Sequence, residues 1–297
     1  GIHVTFATGQ LCMLLGPSGC GKSTLLKLVN RLLRPDAGTI RVDGRDIGEL
    51  EPETLRRGMG YAIQGVGLFP HMKVAENIGI VPGILGWPRA RIRDRVAELL
   101  ELVGLPADYA AKYPREMSGG EAQRVGVARA LAADPAILLM DEPFGALDPV
   151  NRQRLQQEFM GIQRRLRKTV VFVTHDIGEA VRMADKLVLM GKGTILTEGP
   201  PLEIAGRAEL VAKAFLGSGF VLELLEKYTV LDHRHLLVPA EGCPPGTGRV
   251  EARTATLKDA LSAMLLAGRD CVEVDLDGVP YRLRFEDLTR AFAGNTL

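Results

Sequence analysis

The chain has 297 residues, 46% hydrophobic, 25% charged and 5% aromatic, a composition that excludes disordered and fibrous proteins and fits a small number of globular domains. Lys and Arg number 37 against 36 Asp and Glu, so a formal charge of +1 provides no basic field for nucleic acid or anionic lipid. The longest apolar-looking run, Ile78 to Pro88, is broken by Pro82 and three glycines and falls short of the roughly 20 residues that cross a bilayer.

Gly1 opens on a strand-like stretch without the basic and apolar regions of a signal peptide, and the natural N-terminus is expected further upstream. The first element is an apolar strand, Gln10 to Leu15. It runs into Gly16, Pro17, Ser18, Gly19, Cys20, Gly21, Lys22, Ser23 and Thr24, which satisfies G-x-x-x-x-G-K-[ST], and a helix from Ser23 to about Leu33 follows. In such a loop glycines let backbone N–H groups curl round phosphate oxygens and the helix N-terminus adds its positive end. Lys22 then reaches the β- and γ-phosphates, and the Ser23 hydroxyl ligates Mg²⁺. A plain glycine-rich turn would not account for the flanking strand and helix. Cys20 reads as a small side chain within the loop rather than a redox sensor.

A Gly- and Asp-punctuated strand region, Gly38 to Ile63, precedes a helix-rich block from about Lys73 to Ala133 that reads as a subdomain. His71 and Trp87 read as packing or partner-contact residues. Met117 to Glu121, MSGGE, opens a helix with Val125, Ala128, Leu131 and Ala132 on one face; Ser118 caps it, and the Ser-Gly-Gly start exposes N–H groups that suit an anion. The apolar strand Ile137 to Met140 ends in Asp141 and Glu142. There Asp141 can support a metal while Glu142 orients and deprotonates an attacking water. An isolated Asp-Glu pair is usually a solvated turn, but the strand before it and the phosphate loop upstream reverse that reading. Six basic residues between Arg152 and Lys168 form a solvated helix face, and strands at Thr169 to Thr174 and Lys186 to Met190 complete an α/β domain with a largely parallel sheet. His175, taken alone, is a hydrogen-bonded histidine at a strand end.

Gly217, Ser218 and Gly219 form a break, and Gly242 to Gly248 is a turn-rich loop. Beyond the break the pattern is that of a second domain: a capped helix from Thr256 with Leu257, Ala260, Leu261, Met264 and Leu265 on one face, strand Cys271 to Leu276, an Asp277-Gly278 turn, strand Val279 to Phe285 and a helix from Glu286. So small a unit is expected to expose Val272, Val274, Leu276 and Leu283, and two such tails to pair through them. Cys12, Cys20, Cys243 and Cys271 lie scattered without a C-x-x-C pair, which argues against a zinc site or disulfide framework and for a reducing compartment.

The phosphate loop, Gln64 in YAIQ, MSGGE, LLMDEP, Asp148 in GALDP and His175 in VTHD, in that order, resemble an ABC-transporter nucleotide-binding domain over residues 1 to about 217. The stretch GYAIQGVGLFPHMKVAENI further resembles the ATPases of quaternary-amine importers, which take up glycine betaine, choline or carnitine. Thr254 to Phe292 is similar to one CBS repeat, a module those ATPases carry. The resemblance implies an α/β P-loop ABC-type domain over 1–217 with a helical subdomain at about 73–133, a linker over 218–228, and a small α+β CBS-like regulatory domain over 229–297. It implies ATP and Mg²⁺, the metal held by Ser23, Gln64 and Asp141, with Gln64 also coupling the site to a transmembrane partner. Glu142 would be the base and His175 would contact the γ-phosphate. Ser118, Gly119, Gly120 and Glu121 would face ATP held by the other protomer, and Asp148 would bridge the two sites. The implied partners are transmembrane permease subunits, through them a substrate-binding protein, and a second copy of the ATPase, with no nucleic acid; the implied location is the cytoplasmic face of the cell membrane.

Two departures from the family pattern stand out. Met117 and Glu121 replace the usual Leu and Gln of the signature, which puts a carboxylate near a phosphate, and the adenine-stacking aromatic of the family falls upstream of this chain. An ABC ATPase for a sugar or polyamine would more often carry small β-barrels. A non-transport ABC ATPase would show a long coiled coil or two ATPase domains, and a purely nucleotide-sensing module would not need Asp141, Glu142 and His175 together.

Overall fold

The computed structural model describes residues 1–63, 65, 67–145, 147–206, 223–240 and 243–292. The chain divides into two compact units, Gly1–His175 with Val188–Ile195, and Asp176–Leu187 with Leu196–Leu297.

The central sheet has six strands in the order β4-β5-β6-β1-β7-β8: β1 Leu11–Leu15, β4 Met59–Ala62, β5 Ile137–Asp141, β6 Thr169–Thr174, β7 Lys186–Gly191 and β8 Thr194–Gly199. Pairing is parallel from β4 through β5 and β6 to β1. Residues 11–15 are buried throughout, the burial on both faces that an apolar parallel strand requires. Register decides where the chemistry collects. Leu15 pairs with Thr174 and Asp141 with Val173, so the residues just beyond β1, β5 and β6 all emerge level at one carboxyl edge, where open α/β sheets bind ligands. A short hairpin, β2 Arg41–Val42 and β3 Arg45–Asp46, falls within the region read as strands. The strands expected at residues 10–15, 137–140, 169–174 and 186–190 differ from these bounds by one residue or less.

Helix α1 spans Lys22–Val29, α2 Pro52–Arg57, α3 Val74–Ile84, α4 Arg89–Leu102, α5 Gly119–Leu131, α6 Pro149–Leu166, α7 Ile177–Met183 and α8 Pro201–Gly206. Helices α3, α4 and α5 make up the expected helical block. Arg95 of α4 closes the end of α5, donating to the carbonyls of Leu131 at 2.9 Å and Ala132 at 3.3 Å. Fully buried Asn77 of α3 accepts from the Phe69 amide at 2.8 Å and donates to the carbonyls of Phe69, Met72 and Lys73, fastening the segment that leads into the helix.

In the second unit a four-stranded sheet runs β10-β11-β12-β9, with β9 Val238–Pro239, β10 Arg249–Glu251, β11 Cys271–Leu276 and β12 Val279–Arg284. Helix α9 is Leu257–Ala267 and α10 is Phe285–Phe292. Thr256 caps α9 reciprocally with Asp259, and Asp277 and Gly278 both take positive φ in the tight turn between β11 and β12.

Two expectations fail here. Val272, Val274 and Leu283 are not exposed but sit in a core with Leu257, Ala260 and Met264, to which Leu225 and Val230 from the preceding segment also contribute. With the sheet face covered by its own chain, pairing of tails through those residues loses its basis. Leu265 is 71% exposed, and so is Leu266 beside it at 90%: the helix carries more apolar residues than one stripe can bury. The expected break at 217 and the start of the expected linker lie outside the described residues, whereas residues 223–227 are helical with Leu224 and Leu225 buried. No described helix is long and apolar enough to cross a membrane.

Candidate functional site

The loop after β1 is shaped by three of its glycines. A Cβ on Gly16 would lie 2.4 Å from the Met190 carbonyl oxygen and 2.6 Å from Cys20 Sγ, so only glycine fits, while Gly19 and Gly21 take φ of 80° and 107°. Pro17, Ser18 and Gly19 are exposed along the outer turn, as is Thr24 at the start of the helix; Gly16 and Cys20 are buried, and Gly21 and Ser23 partly so. The Cys20 amide donates to the Pro17 carbonyl at 3.2 Å, and the Gly193 amide donates to the Cys20 carbonyl at 3.1 Å, so the loop is braced from within and from the start of β8. Cys20 therefore packs as a small side chain. Buried Lys22 turns its ammonium into the curl, donating to the carbonyls of Gly16 at 2.6 Å and Pro17 at 3.0 Å. That fixes a positive charge within the loop at the start of α1, whose helix N-terminus adds unpaired N–H groups of its own, a cradle matched to phosphate.

Ser23 Oγ donates to Asp141 Oδ1 at 3.0 Å across 118 residues of sequence. Burial pushes the Asp141 carboxyl above the ordinary range and adjacent Glu142 pushes it further; the Ser23 hydroxyl, Lys27 and Lys22 act in the opposite direction. The same carboxylate, after burial, helps raise the Tyr61 phenol to about 12. A hydroxyl and a buried carboxylate at hydrogen-bond distance, beside a phosphate cradle, are the hard oxygen donors that fit Mg²⁺.

Glu142 comes directly after β5 with φ 49°, left-handed backbone that a residue with a Cβ seldom adopts. Three backbone hydrogen bonds hold it: its amide donates to the Val173 carbonyl at 3.0 Å, and its carbonyl accepts from the Gly145 amide at 3.1 Å and from Gln123 Nε2 at 2.9 Å. The turn aims the carboxylate at His175, whose Nδ1 lies 3.2 Å from Glu142 Oε1. A carboxylate and an imidazole in contact, next to a metal-suited pair, can take a proton from a water and orient a phosphoryl oxygen.

Ser118 caps α5, its Oγ accepting from the Glu121 amide at 3.3 Å while Glu121 Oε2 accepts from the Ser118 amide at 2.7 Å. Glu121 Oε1 accepts from the Tyr109 hydroxyl at 2.6 Å. That bond first, and the Ser118 amide next, hold the Glu121 carboxyl below the usual range. The departure at Glu121 is thus part of a cap: both carboxylate oxygens are engaged by this chain's own donors. Asp148 caps α6 in turn, accepting from the amide and side chain of Asn151, which lowers its carboxyl.

The structure therefore gathers Gly16–Thr24, Asp141, Glu142 and His175 at one edge, and places Ser118, Gly119, Gly120 and Glu121 at the start of α5 and Asp148 at the start of α6. Gln64 lies outside the described residues; Gly67 and Phe69 after it are described. Arg129 of α5 donates to the Gly67 carbonyl at 2.7 Å and stands 6.0 Å from the Phe69 ring centroid, and burial lowers its guanidinium's proton affinity. Gln123, Arg129 and Tyr109 join the site only through the structure. Gln123 carries a signal in the sequence, a polar side chain among the small and apolar residues that α5 buries; nothing local marks the other two.

The family described as ABC transporter matches residues 1–145. The chain is 47% identical over 291 residues to the glycine betaine uptake system ATP-binding protein YehX of Escherichia coli, covering 97% of this chain and 92% of that protein. It is 51% identical over 203 residues to the glycine betaine/carnitine/choline transport ATP-binding protein OpuCA of Bacillus subtilis, covering 68% of this chain but only 53% of that longer relative. Among solved structures, the dimeric post-hydrolysis state of the ATP-binding cassette MJ0796, bound to ADP and Pi, superposes with a TM-score of 0.63 at 32% identity over 67% of this chain and 88% of that one.

Proposed function

The chain belongs to the ABC transporter ATPases, which couple ATP hydrolysis to transport, and from that premise we propose that it is the motor subunit of an importer for quaternary-amine osmoprotectants of the glycine betaine, choline or carnitine type. The observation that carries the ATPase reading is the grouping of the Lys22 cradle, the Ser23–Asp141 pair and the Glu142–His175 pair at one sheet edge. The name of a relative matched over 97% of the chain, joined by that of one matched over 68%, carries the solute class.

In this reading Gly16 to Thr24 and Lys22 bind the phosphates, and Ser23, Asp141 and Gln64 hold Mg²⁺. When bound, the metal neutralises charge on the β- and γ-phosphates. Glu142 accepts the proton of the attacking water, its backbone fixed by Val173, Gly145 and Gln123, and His175 keeps the carboxylate aimed and contacts the γ-phosphate. Two copies close face to face, so that Ser118, Gly119 and Gly120 of each meet the nucleotide held by the other and Asp148 lies between the sites. A cassette solved as a dimer at 32% identity supports this assembly.

Permease subunits dock on the helical subdomain. An apolar cavity of about 510 Å³ between α3 and α4, lined by Gly79, Ile80, Ile92, Val96 and Leu100, supports that placing. Through the permease the chain is held at the cytoplasmic face of the membrane and works with a substrate-binding protein. Residues 1–217 act as the ATPase domain, and the segment at 223–227, helical with Leu225 in the core of the second unit, belongs with the C-terminal domain rather than with a linker. Residues 229–297 act as a CBS-like regulatory domain, supported by the helix-strand-turn-strand-helix order of α9, β11, β12 and α10. The test is to reconstitute the chain with its permease and binding protein and compare ATP hydrolysis stimulated by glycine betaine, choline and carnitine with that by maltose and spermidine. Stimulation by a sugar or polyamine alone would overturn the solute class.

A further inference from the structure

Glu142 is held where its backbone does not rest by preference. A φ of 49° is disfavoured for a residue with a Cβ, and relaxation toward the ordinary helical value near −63° would turn φ through more than a right angle and carry the carboxylate away from His175. Of the three groups that pin it, two are backbone groups that any sequence would supply, the Val173 carbonyl and the Gly145 amide. The third is a side chain: Gln123, 4% exposed, one turn into α5, whose Nε2 donates to the Glu142 carbonyl at 2.9 Å.

We propose that Gln123 is a positioning residue for the reaction, which holds the Glu142 carbonyl so that the carboxylate keeps its place beside His175. The proposal rests on the reading of Glu142 as the group that takes the proton from water. It also has a mechanical consequence. Gln123 and Ser118 stand on one continuous hydrogen-bonded helix, so a displacement of the α5 N-terminus moves the amide that holds Glu142. The end of α5 that meets the neighbouring copy's nucleotide thereby adjusts the base of its own copy's site.

The experiment uses the assembled transporter. Gln123→Met keeps length and bulk but removes the donor, and Gln123→Glu keeps the shape while offering a carboxylate to a carbonyl. Each is expected to lower kcat for ATP by about 10- to 100-fold, the effect of a misplaced reacting group, with KM and equilibrium ATP affinity within about twofold of the parent. Val127→Ala, buried one turn further along the same helix and without a polar side-chain atom to hold the Glu142 carbonyl, is the packing control and should leave kcat within about twofold at a similar loss of melting temperature. The decisive measurement is a cycle with Glu142→Gln. A residue that acts through Glu142 adds no further loss once Glu142 is gone, whereas a purely structural role lowers the residual rate again by the same factor. Unchanged kcat in both Gln123 variants, a parallel rise in KM, or full additivity in the cycle overturns the proposal. If Glu142→Gln itself hydrolyses ATP at the parental rate, it is the reading of Glu142 that fails instead.

Discussion

Replacing Glu142 with Gln isolates the proton-accepting step from everything else the site does. The amide has the size of the carboxylate and meets the positive φ with the same backbone, so the bonds to Val173, Gly145 and Gln123 remain. An amide oxygen still accepts at the position 3.2 Å from His175 Nδ1. Folding stability should therefore change by less than about 1 kcal/mol, in the range of a partly exposed polar exchange. Phosphate and metal contacts come from Lys22, Ser23 and Asp141 and are untouched, so nucleotide affinity should hold. The loss is confined to the base, worth about 10²- to 10⁴-fold in rate, or about 3 to 5 kcal/mol of barrier. Single-turnover hydrolysis at saturating Mg²⁺ and ATP measures the loss, equilibrium titration checks affinity, and sedimentation should show an ATP-dependent dimer that persists because the nucleotide is not consumed. Hydrolysis within about threefold of the parent, with binding intact, would refute the assignment of the base.

Gly16→Ala should cost about 1 to 3 kcal/mol or more, because its Cβ would meet the Met190 carbonyl oxygen at 2.4 Å and neither backbone can yield without moving the loop; thermal unfolding without nucleotide checks this, and an unshifted melt contradicts it. Mixing Ser118→Arg with Lys22→Ala protomers should restore one composite site per heterodimer although neither homodimer hydrolyses ATP. If verified heterodimers remain inactive, the α5 N-terminus does not serve the other copy. Tyr109→Phe should remove about 1 kcal/mol of stability near pH 7, discounted from a charge-assisted hydrogen bond because Glu121 is only partly buried. Since the Glu121 carboxyl is lowered in the fold, its contribution is present above the unfolded value near 4.3 and lost as pH falls through the folded one. The deficit should therefore shrink only on acidification below about pH 4, and a deficit that stays constant as pH is taken from 7 down through the folded carboxyl value would show that the hydrogen bond is not its source.

Much of this protein was legible from order along the chain because the relevant physics is local. The run Gly16–Thr24 needs only a strand before it, a helix after it and glycines where N–H groups must curl, all within one stretch. Caps such as Ser118 with Glu121 and Thr256 with Asp259 close over three residues, and the strand Cys271–Leu276 with its Asp277-Gly278 turn is set by period and turn chemistry. Tertiary structure decided the rest. Ser23 meets Asp141 over 118 residues, Arg129 meets Gly67 over 62 and Gln123 meets Glu142 over 19, contacts created by parallel strands ending at one level and by α5 lying against the segments that leave β4 and β5. Gly16 must be glycine because a distant strand presents the Met190 carbonyl, and not because of its own φ. Helix α9 shows the limit most plainly: Leu261, Met264, Leu265 and Leu266 offer more apolar surface than one face can bury, and only packing against β11 and the segment around Val230 selects Met264 for the core and leaves Leu266 in water. A pattern of apolar residues states that something will be buried, whereas which side is covered depends on the shape and position of a partner surface that the local sequence does not contain.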